Sequence, residues 1–242
     1  MDGYCEPDDV KTALQDTELQ GPTNGTIITD EIVAISNWLR KESGRHWYDS
    51  TGTDDDTVPT SARSASNVRL DVPSSPHAQR DQIHRHDRGV RYPVTTDGPY
   101  ARIRLPHGFV ESLTSLEVRD RAGDVTDWTA DSEYAEGVGE DYYVREESQE
   151  NHGASYLYIR AASIGARRDW SGAVVADYQY GLDASDEPWQ DVRRGVALLS
   201  AAAVVVDDDV LTAIPDQGQL LNVETEAERM MDRGMTYLNP YL

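Results

Sequence analysis

The sequence predicts an α+β fold: a discontinuous α-helical core with an antiparallel β-rich unit inserted in it. Three observations carry the prediction. Apolar residues recur at helical spacing near both ends of the chain. They alternate at period two between residues 100 and 182. A charge-free run, GVALLSAAAVVV (195–206), stands in a chain that is otherwise polar and acidic. The divisions that follow are 1–48 and 183–242 for the helical core, 49–99 for an extended loop or arm, and 100–182 for the β-rich insertion.

The first helix is expected over 8–15, because Pro7, Asp8 and Asp9 suit a first turn and Val10, Ala13 and Leu14 follow at helical spacing. The second, the clearest, is expected over 29–44 within IITDEIVAISNWLRKESGRHWY (27–48). Thr29 is a suitable N-cap and Ile28 can staple to Val33. Ile32, Ile35, Trp38 and Leu39 make one face, and Gly44 suits the stop. From Asp49 to about Pro93 periodicity dissolves, apart from a short alternating run at 67–73, and 74–89 reads as a polar arm. Between 100 and 182, YARIRLP, LTSLEVRDRAGDVTDWTA, DYYVREESQENHGASYLYIRAA and SGAVVADYQYG read as short strands joined by Gly- and Asn-bearing turns.

Helix returns at 187–206, with Pro188 in the first turn and Ser185 or Asp186 as cap. Trp189, Val192, Val196, Leu199, Ala203 and Val206 form one face of this helix, and Leu198, Ala202 and Val205 a second. A helix apolar nearly all round needs cover nearly all round. The 29–44 helix supplies part of it; the insert or a neighbouring subunit supplies the rest. Asp207–Asp209 oppose the helix dipole, so a strand at 203–206 stays open as an alternative. The last helix is expected over 223–237, capped by Asn222 and stopped by Pro240.

The chain has 242 residues, with 22 Lys+Arg against 44 Asp+Glu, a net charge of −22. Twenty of the bases are Arg and only Lys11 and Lys41 are Lys, whereas Asp occurs 28 times. Such self-repulsion loosens a compact state in dilute buffer and is largely screened at about 1 M salt, where the Debye length is roughly 3 Å. Excess Asp with scarce Lys reads as a protein built for very salty water, and resembles the proteins of haloarchaea and their viruses. The single cysteine, Cys5, excludes an intrachain disulfide and a cysteine zinc cage within one chain. The opening MDGYCEPDD shows no signal-peptide pattern. The 195–206 run would span roughly 18 Å as a helix, against about 30 Å of bilayer hydrocarbon, so no membrane association is expected.

No pattern for nucleotide binding, a nucleophile elbow or a metalloprotease occurs, and no catalytic constellation stands out, so an enzyme is disfavoured and no cofactor is expected. His77, His84, His86 and Asp87 come nearest to a metal set, but they lie in polar, loop-like sequence, and a solvated loop is the expectation. Arg80, Arg85, Arg88 and Arg91 are the nearest thing to a basic stripe. They are expected to pair with acids of this or a neighbouring chain; tight DNA binding is disfavoured by the overall charge. The C-terminus concentrates soft apolar surface in Met230, Met231, Met235, Tyr237, Leu238, Tyr241 and Leu242, which either pack on the chain's own core or dock into a partner.

The order of the parts is distinctive. Tyr4, Cys5, Asp9, Val10 and Leu14 open the chain; Gly44, Arg45 and Trp47 close the second helix; and an Ala-rich helix, Ala197 to Ala203, comes late. In this the sequence resembles the head–tail adaptor, or connector, proteins of tailed viruses, in the elaborated haloarchaeal form with a middle insert. The resemblance implies a structural virion protein at the head–tail interface, assembled in the host cytoplasm. It implies a homo-oligomeric ring, typically twelve-fold, between the portal protein and a downstream neck (stopper or tail-completion) protein, with DNA passing through. Met231, Met235, Tyr237, Leu238, Tyr241 and Leu242 are then candidate portal or inter-subunit contacts. Trp189, Val192, Val196, Leu199 and Val206 are core or oligomer contacts, and Arg80, Arg85, Arg88 and Arg91 arm contacts. The alternatives are another neck or tail structural protein of such a virus and a halophilic enzyme.

Overall fold

The structure, a computed structural model, describes residues 3–14, 22–52, 57–75, 91–119, 123–146, 153–164, 170–183, 187–206 and 220–242. In chain order the elements are α1 (Pro7–Leu14), α2 (Pro22–Ser43), β1 (Trp47–Tyr48), β2 (Arg63–Leu70), β3 (Ser74–Ser75), β4 (Tyr92–Pro93), β5 (Thr95–Asp97) and β6 (Tyr100–Arg104). There follow β7 (Val110–Arg119), β8 (Val125–Asp127), β9 (Tyr142–Glu146), β10 (Ser155–Arg160), α3 (Ala161–Ile164), β11 (Val174–Tyr180), β12 (Leu182–Asp183), α4 (Glu187–Val206) and α5 (Leu220–Leu238). A 3-10 turn, Asn239–Tyr241, ends the chain. The fold is α+β: a discontinuous helical unit, residues 1–62 and 181–242, and an inserted β-rich unit, residues 63–180.

In the helical unit α4 packs against α1, α2 and α5. The apolar run is therefore covered by three helices, and α4 continues unbroken to Val206; the strand alternative for 203–206 does not occur. The crossing of α4 and α5 is set by two glycines. A Cβ on Gly195 would lie 2.6 Å from the Leu238 side chain, and one on Gly234 would lie 3.0 Å from the Gly195 carbonyl oxygen. A side chain at either position would have to displace these neighbours, so the two glycines keep the helices close.

Three sequence expectations change here. Helix α2 starts at Pro22, seven residues before Thr29. Pro fits a first helical position because its missing N–H would have had no partner there. Thr29 is interior, and its hydroxyl donates to the Gly25 carbonyl at 2.9 Å. The helix ends at Ser43; Gly44 takes φ 65° and its N–H donates to the Arg40 carbonyl at 2.9 Å, as its composition foretold. Beyond the helix, Trp47 and Tyr48 pair in parallel with Leu182 and Asp183. Asn222 is the third residue of α5 rather than its cap.

The β unit has two four-stranded sheets, β5-β6-β10-β9 and β2-β11-β7-β8, with a small β3-β4 pair. Among the described residues every pairing in it is antiparallel apart from one isolated bridge. One cluster takes Ile103, Leu157 and Ile159 from the first sheet and Leu116, Val174 and Tyr178 from the second, so both sheets close over a single core. Residues 63–70, within the stretch expected to be an arm, are strand β2, paired with β11 along the sheet edge. The alternation at 67–73 was the visible end of it. Its first half buries only Ala65 and turns small polar residues outward, so it carries little hydrophobic signal.

Candidate functional site

The motif residues at the N-terminus and after α2 meet in one buried cluster. Tyr4, Cys5 and Trp47 are fully buried and Trp189 nearly so. The Tyr4 ring stands edge-on to Trp47 (centroids 5.3 Å) and to Trp189 (6.0 Å). Backbone and side-chain bonds hold the N-terminal segment in place: Tyr4 N–H donates to Ser36 Oγ at 2.9 Å, and Gly3 N–H to the Thr57 carbonyl at 2.9 Å. A Cβ on Gly3 would meet Ile32 at 2.5 Å, so the segment lies hard against α2.

His46 is buried with both ring nitrogens engaged. Nε2 lies 3.1 Å from the Ser61 carbonyl, which can only accept, so Nε2 carries the hydrogen. Nδ1 is left to accept from the Tyr4 hydroxyl at 3.0 Å. Burial pushes the Cys5 thiol far up, with Asp9 adding to the effect, so Cys5 is a packed and inert thiol. The cluster extends to the last residues of the chain. Tyr241 meets Trp47 edge-on at 5.9 Å, and the Arg45 guanidinium donates to the Tyr241 carbonyl.

The C-terminal candidates therefore divide. Leu238 is fully buried and Tyr241 is 8% exposed, so both are filled positions of the chain's own core. Met231, Met235 and Leu242 are 43%, 38% and 47% exposed, and Tyr237 is half-buried. On α4, Trp189, Val192, Val196 and Leu199 are buried, whereas Val206 is 51% exposed. Arg91 is exposed, and its carbonyl accepts from Trp170 Nε1 at 3.0 Å. Arg80, Arg85, Arg88, His77, His84 and His86 lie outside the described residues.

One feature went unseen in the sequence. A groove of about 750 Å³ opens between α1, α4 and α5. Ala13, Ala197, Leu198 and Tyr237 give it apolar surface, and Arg193, Arg194 and Arg233 line it together with Asp9 and Asp49. Arg193 is spent internally: Nε donates to Asp9 at 2.7 Å and the guanidinium lies 3.2 Å from Glu6. Burial works against its charge, but the bond to Asp9 and the carboxylates of Asp9 and Glu6 outweigh that and raise its pKa. Asp49 is engaged as well, its Oδ1 accepting from Thr51 N–H (2.8 Å) and Oγ1 (2.6 Å), which hold its carboxyl below the usual range. Arg194 and Arg233 are exposed and make no ion pair among the described residues.

Among the described residues no three His, Cys, Asp or Glu side chains are arranged to hold a metal ion, and no helix is long and apolar enough to cross a membrane. The chain is thus a two-unit α+β protein whose distinctive surface is a groove between helices. No known family and no curated protein matches it. Two solved chains are similar to it. One comes from the virion of a native gene transfer agent particle (16% identity, TM-score 0.38), and the other from the neck of an empty gene transfer agent particle computed with C6 symmetry (14% identity, TM-score 0.39). Each match covers 93% of this chain and 87% of the other.

Proposed function

We propose that this chain is a structural virion protein, a head–tail adaptor whose copies form a ring between the portal protein and the downstream neck protein. The reading rests on the sequence motifs, and one observation supports it above the rest. Segments separated by some 40 to 180 positions, those of Tyr4, Trp47 and Trp189, pack into one buried aromatic cluster. The motif order is thus the order of a single helical unit, and the β-rich segment is an insertion between its parts. The ring number is the twelve typical of the family the sequence resembles. The acidic composition suits an opening through which DNA passes without specific contacts, because like charge repels the phosphate backbone. It also suits assembly in molar salt, in the host cytoplasm of a halophile, and residence at the head–tail interface of the virion.

The portal-facing contacts in this reading are Met231, Met235 and Leu242, with Tyr237 beside them. Met231 and Met235 are one helical turn apart on the exposed face of α5, a spacing that lets both enter one partner groove. Residues 236–242 are no detachable tail, because removing them removes Leu238 and Tyr241 from the core. The test is therefore by substitution. In molar potassium chloride the chain should co-purify with the portal protein encoded in the same genome. A Met231→Asp, Met235→Asp double variant should fold normally by circular dichroism and lose roughly tenfold or more of that binding. A wild-type chain that does not bind the portal contradicts the reading. A folded double variant that binds like wild type contradicts the assignment of the contact.

A further inference from the structure

Two features that belong to different surfaces complement one another. The first is the groove between α1, α4 and α5, apolar at Ala13 and Leu198 and flanked by Arg194 and Arg233. In a chain of net charge −22, two arginines with no ion pair among the described residues are unusual cations to leave at an open groove. They favour an occupant that brings carboxylates.

The second feature is a turn in the β unit, Gly137-Val138-Gly139-Glu140. Val138 is 83% exposed, more than any other large hydrophobic side chain described. The turn is closed by Glu140 N–H donating to the Gly137 carbonyl at 3.1 Å, and Gly139 takes φ 100°, the conformation its third position needs. The tip is also tied down. The Tyr100 hydroxyl accepts from Gly139 N–H at 2.8 Å and donates to the Glu140 carbonyl at 2.9 Å. Gly137 N–H donates to the Tyr142 carbonyl at 2.8 Å. A valine held out to water on a rigid turn carries a standing hydrophobic cost, and a rigid turn pays little entropy on docking. Glu136 and Glu140, both exposed, stand on either side of it in sequence.

We infer that the groove between α1, α4 and α5 receives the Val138 turn of a second copy of this chain, with Val138 against Leu198 and Ala13, and Glu136 and Glu140 facing Arg194 and Arg233. The groove has room for a turn rather than for one side chain alone. The contact joins two different surfaces, so it is heterologous, and repeated head to tail it propagates an array that closes when the rotation allows. This rests on the ring reading above and names the surfaces by which neighbouring copies meet.

The experiment uses full-length chains in molar potassium chloride. Cys5 is the only native cysteine and is buried, so introduced thiols report alone. A Val138→Cys chain mixed with a Leu198→Cys chain should form a disulfide-linked heterodimer on mild oxidation. A Val125→Cys chain, also exposed, mixed with the same partner should not. By sedimentation velocity, Val138→Asp should weaken self-association by about tenfold or more with an unchanged circular dichroism spectrum. Arg194→Glu with Arg233→Glu should weaken it, and adding Glu136→Arg and Glu140→Arg to that chain should restore part of the loss. If the wild type associates but Val138→Asp associates equally and no heterodimer forms, this contact is wrong and a ring built through other surfaces stands. If the wild type stays monomeric at every concentration, both the contact and the ring fail.

Discussion

The helical unit draws its residues from both ends of the chain, whereas the β unit is one unbroken segment, 63–180. The difference shows in what closes each core. The helical unit is closed by contacts between distant segments: Tyr4 with Trp47 and Trp189, Trp47 with Tyr241, and Arg193 with Asp9. The β unit is closed by antiparallel neighbours in one segment, with Tyr158 stacked on its cross-strand partner Tyr143 at 4.6 Å and Trp128 on Tyr134 at 4.3 Å. An insertion of this kind leaves the host helices' packing unchanged as long as its two ends stay close. The ends do stay close, because Arg63 and Tyr180, the first and last residues of the insertion, are paired across β2 and β11.

The comparison can be broken most strongly at Trp47. Trp47→Ala removes a fully buried indole that two tyrosine rings meet edge-on, and should cost the helical unit about 3–5 kcal/mol. Near-ultraviolet circular dichroism and denaturant unfolding should show an early transition in that unit while the β signal persists. Loss of both signals in one step would mean that the units unfold as one.

Glycine substitutions sharpen the contrast. In the β unit Gly153 has φ 80°, and a Cβ there would lie 2.1 Å from the Phe109 ring, itself at φ 55°. Gly153→Ala should cost about 3 kcal/mol, combining overpacking with a disfavoured backbone. In the helical unit Gly195→Ala places its Cβ 2.6 Å from Leu238, a side chain that can shift, and gains helix propensity of about 0.5–1 kcal/mol. Its net cost should be about 1–2 kcal/mol. Urea midpoints in the reverse order would show that the helix crossing is the tighter of the two.

The smallest effect is a pH dependence confined to the β unit. His107 stacks on Tyr180 at 4.2 Å, its Nδ1 is 2.7 Å from the Tyr178 hydroxyl, and burial lowers its pKa below 6.5. A histidine whose folded pKa is depressed contributes stability above its unfolded pKa and loses it as pH falls toward the folded value. Thermal stability should therefore decline as pH drops below about 6.5, and His107→Gln should flatten that part of the profile. An unchanged slope in the variant would assign the effect to other groups.

Helix α4 was legible through most of its length, because Trp189, Val192, Val196 and Leu199 keep their spacing into the charge-free run; only its last turn, before Asp207–Asp209, left a strand open. The start of α2 was not, since Thr29 offers a cap signature inside the helix while the start falls at Pro22, a residue that also suits a first helical position. Strand β2 was half hidden. Asn67 takes φ 56° with its N–H on Asp177 Oδ1, a bulge that breaks the alternation and is fixed by a residue far away in sequence. The groove was illegible for the same reason: the pairing of Arg193 with Asp9 and the meeting of α1, α4 and α5 that line it are contacts between distant parts of the chain. Val138 stands between Glu136 and Glu140 in the sequence, and only the turn geometry shows that it is held out.

The division into two units is tested most directly by amide hydrogen exchange on residues 63–180 expressed alone, beside the full chain, in molar potassium chloride. The account predicts that β6, β7, β10 and β11 keep their protection in the fragment, and that residues 1–62 expressed alone show none, since α1 and α2 lack α4. A fragment 63–180 whose amides exchange at unfolded-chain rates, with the full chain well protected, would contradict it.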